Sequence, residues 1–98
     1  MNIQAMMKQA QKLQKEMMSE KETIDKMEFE EKNSFVTVKA NGKKEILEVK
    51  IDNEQLDKDD IEMLQDIIIV AMNNLFKKID AETEKRLGKY TQGMPGLF

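Results

Sequence analysis

Apolar residues recur with a helical period through the first part of the chain. Ile3, Ala10, Met17 and Ile24 occupy one heptad position and Met6, Leu13 and Met27 the next, with Glu20 the only break. This seam runs for nearly four heptads and predicts a helix that packs against another helix. Neither glycine nor proline occurs before Gly42, so nothing punctuates the helix early. The methionines suit the irregular gaps of such a seam.

From Glu28 the period shortens toward two. Phe29 sits among glutamates, Asn33-Ser34 offers a turn, and residues 35–40 (FVTVKA) have strand propensity. Residues 28–32 read either as a first strand or as a frayed helix end. Asn41-Gly42 predicts a tight type I′ hairpin, which needs positive φ at both central residues. The following strand, residues 46–51, places Leu47, Val49 and Ile51 on one face and Ile46, Glu48 and Lys50 on the other. A three-stranded antiparallel meander results.

Residues 52–56 read as a turn or a short helical turn. A second long helix is predicted from Asp59 or Asp60, with Asp57, Asp59 and Asp60 as caps and Glu62 in capping-box spacing from Asp59. Its apolar positions are Ile61, Leu64, Ile68, Met72, Leu75, Phe76 and Ile79, thinning toward Leu87. Continued to Lys89 it would be about 45 Å long, more than a small domain is wide, so part of it must project or be covered by another chain. The fold class is α+β: long N-terminal helix, three-stranded antiparallel sheet, long C-terminal helix (α-β-β-β-α).

Residues 67–72 (IIIVAM) are apolar all round the helix, as in a helix buried on every side. One small sheet and one helix cover about half that circumference. A second copy is the simplest cover, predicting a two-fold homodimer with Ile67, Ile68, Ile69, Val70 and Met72 at the interface. The alternative is a monomer with an unusually enclosed helix. The division expected is one domain over residues 1–90 and a flexible tail over 91–98, which contains Gly93, Pro95 and Gly96.

Composition narrows the chemistry. The 98 residues are 40% hydrophobic and 36% charged, as in one small helix-rich globular domain. With no cysteine and no histidine, disulfides, thiolate metal sites and the usual proton shuttle are excluded. Ser19 and Ser34 have no evident base, and no glycine-rich phosphate loop occurs. No enzyme, cofactor or small-molecule substrate is therefore expected. The acids from Asp52 to Glu62 lack EF-hand spacing and its glycine, and helix-start capping explains them, so no metal is expected either. The N-terminus has no apolar signal core, and residues 67–72 form too short a run to span a bilayer. The expected location is the cytoplasm, without a membrane partner.

Charge is sorted along the chain. Residues 1–15 carry Lys8, Lys12 and Lys15 and no acid, whereas residues 16–32 hold seven acids against three lysines. Residues 52–66 hold seven acids against Lys58, and the end is basic again through Lys77, Lys78, Lys85, Arg86 and Lys89. The net charge of -3 does not exclude a polyanion partner, because binding responds to the local field. Lys8, Lys12 and Lys15 lie within about 60° of one another, opposite the apolar seam. They occupy the N-terminal half of their helix, where the macrodipole gives cations nothing. Lys85, Arg86 and Lys89 lie near a helix C-terminus, where positive charge is favoured anyway. Antiparallel helices would bring both basic ends to one tip, two tips per dimer, suited to duplex phosphates. No aromatic platform accompanies them for stacking on single strands.

Residues 7–11 (MKQAQ), 36–42 (VTVKANG), 45–49 (EILEV), 60–66 (DIEMLQD) and 93–98 (GMPGLF) run in order over essentially the whole chain. Together they resemble the YbaB/EbfC family of bacterial nucleoid-associated proteins. The resemblance implies a tweezer-like homodimer in the nucleoid that binds double-stranded DNA through basic positions of its first and last helices. Here those are Lys8, Lys12 and Lys15, then Lys78, Lys85, Arg86 and Lys89. Lys32-Asn33-Ser34 stands where family members often have a glycine-rich turn, and a single arginine in the last helix argues against bidentate base readout. A different class of function, a protein-interaction module using exposed helices and tail, is suggested by the acidic pI of about 5.1, the Met-rich seam and Leu97-Phe98.

Overall fold

Asn2 starts the first helix. In the computed structural model, which describes residues 2–91, its side-chain oxygen accepts from the N–H groups of Gln4 (3.0 Å) and Ala5 (3.3 Å), capping α1 (Ile3–Lys26). The cap satisfies donors that have no partner within the helix. At the other end Met27 turns extended, its N–H donating to Ile24 O at 3.0 Å. The chain then enters β1 (Glu28–Asn33), followed by β2 (Val36–Asn41) and β3 (Ile46–Ile51). Residues 28–32 are strand rather than frayed helix. Phe29 pairs with Ala40 in the ladder and is buried in the core.

The sheet order is β1-β2-β3 with both pairs antiparallel. A 3₁₀ turn (Lys58–Asp60) leads into α2 (Ile61–Thr91), completing the α-β-β-β-α order. The reciprocal cap joins Asp57 and Asp60, not Asp59 and Glu62: Asp59 N–H donates to Asp57 Oδ1 (2.8 Å) and Asp57 N–H to Asp60 Oδ2 (3.1 Å). Thr91 still belongs to α2, and the rest of the expected tail, residues 92–98, lies outside the described residues.

The two hairpins use different turns, and the second departs from the expected type I′. At the first, Ser34 has φ 55° while Phe35 does not enter positive φ, matching a type II′ turn, whose first central residue alone needs that region. At the second, the positive φ falls on Lys44 (64°) rather than on Asn41 and Gly42. Asn41 organises this longer turn: its Oδ1 accepts from Lys43 N–H (2.9 Å) and Glu45 N–H (3.0 Å). Gly42 serves close approach instead. A Cβ there would lie 1.9 Å from the backbone oxygen of Ile24, at the C-terminal turn of α1. Gly42→Ala should therefore force α1 off the turn and destabilise the protein by about 1–3 kcal/mol, the usual cost of overpacking. Chemical denaturation checks this; an unchanged midpoint would show that the turn yields freely.

The core lies between one sheet face and α2. Phe29, Val36, Val38 and Ala40 pack with Ala71, Leu75 and Ile79, and Leu64, Ile67, Ile68 and Met72 close its margins. Each large side chain buried there is worth about 1.5–3 kcal/mol. The opposite sheet face is polar, with Lys39 between Glu30 (4.0 Å) and Glu48 (3.8 Å). The α1 seam is used only at its C-terminal end. Ile24 is buried, whereas Ile3, Met6 and Leu13 are exposed, because α2 does not reach alongside them.

The strand β3 also departs from its predicted facing. Its register pairs Ile51 with Val36 and Val49 with Val38, then shifts between Lys39 and Ala40 so that Ala40 meets Ile46. Directly paired residues share a face. The irregularity therefore brings Ile46 onto the helix-bearing face with Val49 and Ile51, not onto the face of Glu48 and Lys50.

Candidate functional site

The molecule is elongated, 70 × 21 × 14 Å, because α1 projects as an arm. Residues 2–16 are exposed throughout. The lateral alignment is set where Arg86 meets Glu20. At 1.5 Å per residue, the remaining run to Thr91 brings α2 level with about Lys15. Lys8 and Lys12 extend beyond it. The two basic helix ends are thus staggered rather than level: that of α2 lies beside the middle of α1.

Lys8, Lys12 and Lys15 share the arm face opposite Met17 and Ile24, so they point away from α2. None of the three makes an ion pair among the described residues, and all are exposed. An unpaired lysine keeps its full charge and its counterions, which is what phosphate binding exploits. The arm also has no acid in its first turn to offset them.

The other predicted residues divide. Lys85 and Lys89 are exposed on α2 without an acidic partner among the described residues, Lys89 lying 4.9 Å from the Tyr90 ring centre. Lys78 is engaged at the sheet, donating to Glu30 O (2.7 Å) and pairing with Glu31 (2.9 Å). Arg86 is held by two carboxylates: Nε donates to Glu82 Oε1 (2.6 Å) and Nη1 reaches Glu20 Oε2 (3.4 Å). The Glu82 hydrogen bond chiefly raises its pKa above the ordinary arginine value. Sequence reasoning missed this clasp. Its signal was present: the one charged break in the apolar seam, Glu20, faces the one arginine of the chain.

The residues expected at a subunit interface also separate. Ile67, Ile68 and Met72 pack partly against their own core, whereas Ile69 (56% exposed) and Val70 (47%) do not. Lys44, in the β2–β3 turn, pairs with Asp80 (2.8 Å) and overlies Phe76 (5.7 Å), which marks that flank of α2 as the β3 side. Ile69, two turns before Phe76, is on the same flank. Val70, turned 100° further, falls toward the β1 side, where Asn33 Nδ2 donates to Ile67 O (3.1 Å) and Lys78 is held. α2 covers β1 and β2 but not β3. Ile46, Leu47, Val49 and Ile51 consequently stay exposed.

Among the described residues no group of three or more acidic side chains converges as a metal site, and no helix is long and apolar enough to cross a membrane.

The sequence profile of the YbaB/EbfC DNA-binding family matches residues 1–94. A nucleoid-associated protein of Enterococcus faecalis is 45% identical over 98 residues, covering 98% of this chain and 94% of the relative. Nucleoid-associated proteins of Oceanobacillus iheyensis (48% identical; 99% and 97% covered) and Clostridium novyi (47%; 100% and 90%) are similarly close.

Proposed function

The chain belongs to the YbaB/EbfC DNA-binding family, and from that premise we propose that it is a nucleoid-associated protein that binds duplex DNA as a homodimer in the cytoplasm. The observation that carries the mode of binding is the α1 arm, exposed over residues 2–16 with three unpaired lysines on one face. Lys8, Lys12 and Lys15 contact phosphates, joined by Lys85 and Lys89 from α2. Compact ammonium groups without a polar readout surface contact the backbone and leave the bases unread, so binding depends little on sequence. Lys78 and Arg86, occupied by their own acids, contribute to shape rather than to the phosphate grip.

A dimer carries two arms, so the second contact forms at raised effective concentration and strengthens the whole. Duplex titration over a range of salt tests the proposal. Affinity in the range of about 10⁻⁴–10⁻⁶ M near physiological salt, falling linearly in log–log form as salt rises, is the expected result. Salt-independent binding, or none, would refute it.

The exposed apolar stripe of the arm, Ile3, Met6 and Leu13, favours a second reading, in which the arm engages a protein. Pull-down with and without nuclease separates the two: partners bridged by DNA vanish on digestion, and direct partners stay.

A further inference from the structure

We propose that Arg86 is a positioning residue that struts the α1 arm through Glu20, with Glu82 aiming its guanidinium, and is not itself a phosphate ligand. The inference rests on the DNA-binding reading of the arm.

The arm is held at its base and along the end of α2, where Leu87 is buried and Arg86 reaches across. At the base, Ile24 seats against Gly42, so closely that a single added carbon has no room. One helical turn further out, Glu20 meets Arg86 Nη1 at 3.4 Å. Beyond that level residues 2–16 are exposed. Glu82 lies four residues before Arg86 on the same helix and takes Nε at 2.6 Å, which fixes the planar fork so that its other edge is presented to α1.

Leverage makes this weak, part-exposed contact matter. Glu20 is about 6 Å along the helix from Ile24 and Lys8 is about 24 Å from it, so slack at the clasp is magnified roughly fourfold at the lysines. An ion pair of this exposure adds little to global stability. Its effect falls on where the arm points, and two arms engage one duplex only when both point correctly.

Occupancy argues against a direct phosphate role. Arg86 Nε and Nη1 are already taken by Glu82 and Glu20, while Lys85 and Lys89 beside it carry no acidic partner among the described residues.

Glu20→Gln separates the possibilities, because it removes a negative charge near the DNA while leaving Arg86 in place. If Arg86 were a phosphate ligand, freeing it would tighten binding. As a strut, the variant binds duplex roughly fivefold more weakly, the equivalent of about 1 kcal/mol. The double variant Glu20→Gln, Arg86→Gln is then no weaker than the sum of one lost contact, showing non-additivity of the pair. A second readout needs no DNA. The chain has no cysteine, so nitroxides at Gln4→Cys and Lys32→Cys, in chains diluted with unlabelled protein, report the arm's direction. Glu20→Gln should broaden that distance distribution. Tighter binding by Glu20→Gln, or a distribution unchanged from the parent, overturns the strut. If the parent protein fails to bind duplex at all, the functional reading falls and the distance distribution alone decides the strut.

Discussion

Replacing Lys8, Lys12 and Lys15 together with glutamine should flatten the salt dependence of duplex binding more than any other small set of changes. In a dimer the substitution removes six ammonium groups. If each neutralises one phosphate, the log–log salt slope becomes shallower by about 5, and affinity at low salt falls by on the order of a hundredfold or more. Folding should be untouched. The three side chains are exposed and unpaired among the described residues, and cations in the N-terminal half of a helix oppose its macrodipole, so the thermal midpoint stays level or rises slightly. The control is a charge-matched variant, Lys32, Lys50 and Lys58→Gln, whose lysines are exposed but off the arm. Equal losses in the two variants would show that binding follows net charge and would remove the arm from the site.

Much of this was readable from residues because local patterns and the final packing agree. The α1 seam, the strand alternation in β2 and the Asp-rich start of α2 each report a period or a cap that the fold keeps. What failed were assignments that depend on distance between elements. The a/d seam predicts helix packing from Ile3 onward, yet helix lengths and the Glu20–Arg86 alignment leave its first half uncovered. Asn41-Gly42 reads as a two-residue hairpin, but Gly42 is required by a backbone 1.9 Å from its missing Cβ, a contact with a residue far back in the chain. A one-residue irregularity opposite Ala40 moves Ile46 across the sheet, since strand faces alternate with period two. Among the basic positions, charge alone ranks Arg86 and Lys78 with the others. Only the structure shows that these two are paired, with Glu20, Glu82 and Glu31.

The second large effect is expected at the uncovered side of the sheet. β3 presents Ile46 (38% exposed), Val49 (45%) and Ile51 (42%) on the face that carries α2, and Ile69 is exposed on the β3 flank of that helix. A sheet whose helix covers two strands and leaves the third apolar strand bare is half of a two-layer core. A second copy placed across a two-fold axis supplies the missing layer with the same residues, as an isologous interface demands. Val49→Lys or Ile69→Lys then buries an uncompensated charge in each half of the interface. The expected cost is about 3–5 kcal/mol, or roughly two to three and a half powers of ten in the dimer dissociation constant. Light scattering at micromolar concentration should show monomers, and the thermal midpoint should drop and lose its dependence on protein concentration. Because both side chains are exposed in the single chain, the monomer itself keeps its core and its circular dichroism. Val70→Lys is the internal control: turned toward the β1 side, it should leave the mass unchanged. A Val49→Lys protein that remains dimeric would move the interface away from β3. One in which Val70→Lys alone dissociates the dimer would place the interface on the opposite flank of α2. If the dimer does form through β3, monomeric variants should also lose the gain from two linked arms, so duplex binding weakens while Lys8, Lys12 and Lys15 remain in place.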